Sequence, residues 1–128
     1  MAQTDPDSQP GLFDRFVKYF ESLAQERGAY WFARDLMHAV GYGDWNSFQE
    51  VIHQAMANQA TPGKVSLDFI PVKRIVDGKE VEDFKLTKFA CLMTALNADP
   101  QIPAVAIAQE YFVAEIRYEI EDFIEYRD

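Results

Sequence analysis

The sequence predicts an α+β fold: a mostly helical single domain that contains a helix-turn-helix-like pair and a small antiparallel sheet with a β-hairpin. Apolar residues recur at helical spacing in several segments, which is typical of amphipathic helices. Asp77-Gly78 lies between two β-prone segments and is the strongest short-range signal for a hairpin. With 128 residues, of which 48% are hydrophobic, the chain is long enough to form one domain with its own core.

The amino-terminal segment is polar and is followed by the first predicted helix. Residues Met1 to Pro10 carry two prolines and two aspartates, which predict a disordered leader, so the domain is expected to span residues 11–128. Apolar residues at helical spacing predict a helix from Leu12, with Gly28 as its stop.

The segment from Tyr30 to Ala57 is the centre of the predicted fold, because it holds both tryptophans and two helix-length apolar patterns. Its opening aromatic run predicts a short strand, for which the downstream hairpin offers a partner. Gly41 is placed to end the first helix in a left-handed conformation, and Asp44 is placed to cap the second. Two short helices joined by such a tight turn predict the helix-turn-helix-like unit.

The hairpin follows after a loop. A two-residue loop at Asp77-Gly78 predicts a type I′ turn and fixes the register of the two strands. Alternation then places Arg74, Lys79 and Lys85 on one face and Lys73 on the other. We expect the tip to project into solvent and the base to pack on the domain. The residues predicted for that base are Phe69, Ile70, Phe84 and Leu86.

Two further helices complete the predicted domain. Thr87 is a suitable cap for a helix from Lys88 to Leu96, and Pro103 can begin a long final helix that ends near Tyr126. The predicted core face of the first of these consists of Phe89, Leu92, Met93 and Leu96. At the end of the final helix, Ile120, Phe123 and Tyr126 are predicted to contact another copy in a homodimer, or a further domain.

Polar side chains on the second helix of the central pair are candidates for contact with DNA. They are Asn46, Gln49, Glu50, His53 and Gln54, and asparagine and glutamine can pair with adenine edges in a major groove. A solvated helix face explains the same residues. No lysine or arginine lies between Asp35 and Gly63, so the phosphate contacts that normally supply most of the affinity must come from elsewhere.

The hairpin is the predicted source of positive charge. Residues 64–88 hold six basic groups against five acidic ones, although the whole chain has 12 basic and 21 acidic residues and a net charge of −9. Lys73, Arg74, Lys79 and Lys85 could therefore contact a nucleic-acid backbone. Equally, charged residues commonly protect exposed strand edges from mispairing.

No pattern in the sequence predicts an enzyme, a cofactor or a metal site. Nucleophile motifs, phosphate-binding glycine loops and paired carboxylates are missing, and His38 and His53 have no dense set of further ligands nearby. Arg34 and Asp35 are interpreted as structural, with Asp35 acting at a helix start and Arg34 in an ion pair.

The predicted location is the cytoplasm, without a membrane partner. The single cysteine, Cys91, lies in an apolar run and is expected to be a buried thiol in a reducing compartment. The start of the chain lacks the features of a secretory signal, and no apolar run approaches the roughly 20 residues of a membrane span.

Four segments in fixed order carry a family resemblance: FESL, YWFARDLMHAVGYGDWNSFQEVIHQA, DFKLTKFACLMTALNADP and VAIAQEYFVAEIR. Together, from Phe20 to Arg117, they resemble the N-terminal region of DNA-damage-inducible protein D and, more distantly, the BRO-N domain of viral and phage BRO proteins. The resemblance implies an α+β domain that binds nucleic acid or regulates DNA transactions, in proteins that commonly carry a second, C-terminal domain.

Two functional hypotheses follow. The first is a non-enzymatic regulatory domain, linked to the DNA-damage response or to phage antirepressor-like regulation, that binds DNA through the helix pair and the hairpin. The second is an acidic interaction module that engages a protein partner, a repressor or a recombinase, without binding DNA itself.

Overall fold

The computed structural model describes residues 11–59 and 62–127, with side chains at 11–59, 63–115 and 117. These residues form six α-helices and a three-stranded sheet, which confirms the predicted α+β class. The helices are α1 (Leu12–Ser22), α2 (Ala33–Ala39), α3 (Trp45–Ala57), α4 (Val65–Asp68), α5 (Lys88–Asn97) and α6 (Pro103–Arg127). The strands are β1 (Trp31–Phe32), β2 (Phe69–Val76) and β3 (Lys79–Leu86).

The sheet has the order β1-β3-β2, and neighbouring strands are antiparallel. Trp31 of β1 pairs with Leu86 of β3, which confirms that the hairpin supplies the partner of the short aromatic strand. The β2–β3 hairpin has the predicted register. Asp77 and Gly78 have φ angles of 52° and 80°, and a type I′ turn requires positive φ at both positions.

The hairpin packs on the domain at its base, as predicted. The prediction is wrong for one of the four residues assigned to that base. Phe69, Phe84 and Leu86 are buried, whereas Ile70 is exposed. Ile70 pairs with Lys85, one residue along from the Phe69–Leu86 pair, and successive strand residues point to opposite faces. Its side chain therefore lies on the face away from Phe69.

The core is organised around Phe20, which is fully buried between α1, β1 and α6. Its ring stacks on Trp31 at 4.5 Å between centroids and meets the edge of Phe112 at 5.4 Å. The Trp31 indole N–H donates a hydrogen bond of 2.8 Å to the Phe20 carbonyl oxygen. The buried tryptophan thus satisfies its polar group while its ring fills the core.

The first helix ends earlier than predicted. α1 stops at Ser22, and Gly28 belongs to a separate short 3₁₀ turn, Glu26–Gly28. Glu26, Arg27 and Gly28 have φ angles of 48°, 60° and 88°, which a right-handed helix cannot include. The chain therefore turns back, and Gln25 forms a bridge with Tyr30.

The core face predicted for α5 is partly wrong, because only Leu92 and Met93 of its four residues pack against the core. Thr87 caps this helix as expected, accepting a hydrogen bond from the Ala90 N–H. The buried face, however, consists of small residues: Ala90, Cys91, Thr94 and Ala95. Phe89 and Leu96 are exposed, and Leu92 and Met93 are half-buried. Because small side chains allow close approach between helices, α5 turns this narrow face towards α3 and α6.

A polar cluster on the surface also joins α5 to α6. The Lys88 ammonium lies 2.8 Å from the Glu115 carboxylate, and the Tyr111 hydroxyl donates to the same oxygen at 2.8 Å. The hydrogen bond from Lys88, aided by that from Tyr111, lowers the pKa of Glu115. Burial, together with the hydrogen bond to Glu115, raises the pKa of Tyr111 to about 12.

The final helix begins at Pro103, as predicted, and buries Val105, Ala108, Tyr111 and Phe112. The side chains of Ile120, Phe123 and Tyr126 lie outside the described residues, as does the leader predicted at residues 1–10. None of the helices in the described part of the chain has both the length and the apolar composition that crossing a membrane requires.

The connection between α2 and α3 has the predicted glycine and cap. Gly41 has a φ of +83°, and the Asp44 carboxylate accepts a hydrogen bond of 2.9 Å from the Ser47 N–H at the start of α3. A Cβ atom at Gly41 would also lie 3.1 Å from the Ile102 side chain, at the entry to α6. Gly41 is therefore constrained both by its backbone conformation and by close packing.

We predict that Gly41→Ala lowers the free energy of unfolding by about 1–2 kcal/mol, because the left-handed conformation is strained for alanine. Gly43→Ala is the matched control, since no atom of the described residues lies within 4 Å of its added Cβ. It should change stability by no more than about 0.5 kcal/mol. Urea unfolding of both variants measures the difference, and equal losses would contradict the role assigned to Gly41.

Candidate nucleic-acid interface

The hairpin lies beside the second helix of the central pair. A groove of about 390 Å³ separates α3 from the two strands, and Gln49, Lys73, Glu82 and Phe84 are among the residues that line it. The His53 ring lies 6.4 Å from the Phe84 ring, farther along α3. The structure thus brings together the helix and the hairpin that the sequence identified separately.

The groove side of the hairpin exposes one predicted basic residue, and the tip exposes another. The Lys73 side chain is 70% exposed and lies 3.5 Å from the Glu80 carboxylate, which is itself 61% exposed. An ion pair so open to solvent is weak. Lys73 therefore remains available to an anion that binds it more strongly than Glu80 does. Lys79 is exposed next to the turn.

On α3, three of the five predicted residues form one stripe and are accessible to different extents. Asn46 and His53 are exposed, whereas Gln49 is half-buried where it lines the groove. They occupy the first, second and third turns of one helix, so their spacing suits contact along a single surface. Phe48, Val51 and Ile52 face the core and fix the orientation of the helix.

The opposite face of the hairpin, on which Lys79 also lies at the tip, holds Arg74 and Lys85, and these two contact aromatic rings. The Arg74 guanidinium carbon lies 3.7 Å from the centre of the Phe32 ring, and the Lys85 ammonium lies 4.6 Å from that of Tyr30. Both distances are within the range of cation–π attraction. Arg74 and Lys85 therefore do not join Lys73 in one basic surface.

Asp83 is the buried partner of Arg74. Its side chain is fully buried, and one carboxylate oxygen lies 2.9 Å from the guanidinium of Arg74, which is 27% exposed. The other oxygen accepts hydrogen bonds from the backbone N–H groups of Arg34, at 3.0 Å, and Phe84, at 2.8 Å. The buried charge is thus both paired and hydrogen-bonded, as stability requires.

The bond to Arg34 makes Asp83 a cap for α2. This helix has no cap from its own N-cap residue, Phe32. Arg34 is its second residue, and its N–H is one of those that a helix start leaves without an internal acceptor. A carboxylate at this position is also favoured by the helix dipole. The hairpin therefore supplies the hydrogen-bond acceptor for the start of the first helix of the helix-turn-helix-like pair.

Arg34 makes a second connection with its side chain. Its Nε donates a hydrogen bond of 2.8 Å to the Glu82 carbonyl oxygen on β3, and its guanidinium carbon lies 4.2 Å from the centre of the Trp45 ring on α3. Among the described residues, Arg34 makes these contacts and not the ion pair that the sequence predicted. One side chain thus joins α2, α3 and the hairpin.

Asp35 is half-buried in the first turn of α2, where the sequence predicted a helix-start role. Burial raises the pKa of its carboxyl group, and the charge of Asp83 adds to this effect, while Arg74 and His38 lower the pKa. Asp35 therefore belongs to the same electrostatic cluster as the Arg74–Asp83 pair.

The sequence analysis missed Asp83, the most deeply buried acid in the described residues. The hairpin register carried a usable signal. It places Arg74 opposite Val81 and Val72 opposite Asp83, so arginine and aspartate are diagonal neighbours on one face. The contact with Arg34 carried no such signal, because the two residues are 49 positions apart.

Comparison with known proteins finds a DNA-damage protein. The chain is similar to DNA damage-inducible protein D of Escherichia coli (strain K12), with 27% identity over 95 residues. The alignment covers 68% of this chain and 34% of the relative, so the chain spans about a third of that protein's length. No family model matches the chain. No solved structure matches it either.

We predict that Asp83→Ala lowers the free energy of unfolding by about 3–5 kcal/mol, because it leaves Arg74 without its buried partner and α2 without its cap. Glu80→Ala, on the same strand, is the matched control and should cost less than about 1 kcal/mol, since its pair with Lys73 is exposed. Urea unfolding at neutral pH measures both. Similar losses for the two variants would contradict the role of Asp83.

Proposed function

We propose that this chain is a non-enzymatic regulatory domain of the BRO-N and DNA-damage-inducible type that binds DNA through α3 and the β2–β3 hairpin. The observation that carries the proposal is the shared groove, in which Gln49 of α3 and Lys73 of β2 line the same surface. Base-reading and phosphate-binding groups must lie together if they are to contact one nucleic acid.

Each group at this surface has a chemical role in the proposal. Lys73 at the groove and Lys79 at the hairpin tip supply exposed positive charge for the phosphate backbone. Asn46 and Gln49 can donate and accept hydrogen bonds at base edges, and His53 extends the same polar surface. The net charge of −9 opposes general attraction to DNA, so binding depends on this local arrangement and should be salt-sensitive.

Arg74 and Lys85 take a different part in the proposed interface from the one expected from sequence. Arg74 stabilises the hairpin through its ion pair with Asp83. A substitution of Arg74 would therefore not distinguish a loss of DNA contact from a loss of structure. Lys85 lies over Tyr30 on the far face. We therefore assign direct phosphate contact to Lys73 and Lys79 and a supporting role to Arg74.

The regulatory context comes from similarity. The relative's name links it to induction by DNA damage, and the segments in this chain that resemble BRO-N proteins suggest phage antirepressor-like regulation as a related setting. A role for this chain in the response to DNA damage is part of the proposal.

The second candidate is an acidic module that engages a repressor or recombinase without contacting DNA. The net charge of −9 favours it, because an acidic surface attracts the basic sites with which such proteins bind DNA. The two candidates differ in one direct property, which is the affinity of the isolated chain for DNA.

The test is an anisotropy titration of labelled single-stranded and duplex DNA at two salt concentrations. We predict that Lys73→Ala/Lys79→Ala weakens binding and reduces the slope of log affinity against log salt by about 2, or nearly one unit for each lost phosphate contact. The matched control is Arg15→Ala/Lys18→Ala, which removes two exposed charges from α1.

Equal losses in the two double variants would show a general charge effect and overturn the assignment to the groove. Absence of binding by the unmodified chain at low salt would overturn DNA binding itself. In that case the second candidate predicts a complex with a repressor or recombinase that dissociates as salt is raised.

A further inference from the structure

α5 and α6 present an apolar surface that the rest of the described chain leaves exposed. Phe89 and Leu96 lie on one outward stripe of α5 and are 47% and 46% exposed, and Val113 of α6 is 51% exposed. Leu96 and Val113 line a common groove of about 500 Å³ between the two helices. Large exposed apolar side chains that adjoin one another commonly mark an interaction surface.

The two charged residues that line this groove, one acidic and one basic, lie in a fixed order along α6. Glu110 and Arg117 both line the groove, and they lie three residues before and four residues after Val113. These spacings place all three on one side of the helix. Glu110 and Arg117 are about 10.5 Å apart along the axis, beyond the separation at which neighbouring residues of one helix normally pair.

We propose that a second copy of this chain occupies the groove, with the two α6 helices antiparallel about a twofold axis near Val113. This axis brings the two Val113 side chains together and places Glu110 of each copy beside Arg117 of the other. Ala106 and Ala114, which also line the groove, allow close approach. The interface is isologous, since each copy contributes the same surface.

The charge order selects this occupant over others. A uniformly acidic or basic protein would leave one of the two charged residues facing a like charge. An antiparallel copy of the same helix carries the complementary order. The lining residues are distinct from those of the groove beside the hairpin, so the inference stands independently of DNA binding.

Sedimentation velocity of the full chain tests the inference through charge reversal. We predict that the unmodified chain is a dimer and that Glu110→Arg or Arg117→Glu alone raises the dimer dissociation constant at least about tenfold, because each places like charges opposite one another. An equimolar mixture of the two variants should form a heterodimer, since one copy then carries only basic and the other only acidic residues at these positions.

Circular dichroism establishes that the variants are folded, and Lys18→Glu and Glu21→Arg, at exposed positions on α1, serve as matched charge controls. The controls and their mixture should behave as the unmodified chain does. A monomeric unmodified chain, or single variants that still dimerise, would overturn the inference. Folded variants that remain monomeric when mixed would overturn the antiparallel arrangement.

Discussion

The Asp83 carboxylate joins Arg74 on β2 and its own strand β3 to the first turn of α2, where it bonds the Arg34 N–H from 49 positions along the chain. A buried charge is stable only when it is paired and hydrogen-bonded, so the positions of these segments are mutually dependent. Displacing the hairpin would deprive the Asp83 carboxylate of its hydrogen bond from the Arg34 N–H and leave the start of α2 uncapped. Arg34 strengthens the same connection by bonding to β3 and packing on Trp45 of α3.

This constraint divides the basic residues of the hairpin into two groups. Arg74 is committed to Asp83 and Phe32, and Lys85 to Tyr30, so these two cations contribute to the fold. Lys73 and Lys79 remain exposed at the other face and the tip. Because the hairpin is held beside α3, Lys73 shares a groove with Gln49. The acid that stabilises the fold therefore also withdraws Arg74 from contact with a ligand.

Features governed by neighbouring residues could be predicted from the sequence, and features governed by distant packing could not. The Asp77-Gly78 turn and its strand register depend on local backbone preferences, and so does the cap at Asp44. The inward face of α5 was predicted only in part, because this helix is apolar on two sides and the packing of α3 and α6 decides that its small residues enter the core. For the candidate site, the sequence identified both contributing elements, but the cap that Asp83 provides for α2 joins residues 49 positions apart and left no local trace.

The most direct test of the central claim is a titration of the isotopically labelled chain with a short DNA duplex, followed by amide chemical shifts in NMR. The account predicts that the largest changes occur along the groove and the hairpin tip, at Gln49, His53, Lys73 and Lys79, with little change at Tyr30 or Lys85. Changes concentrated on the Tyr30 and Lys85 face, or along α5 and α6, would contradict it.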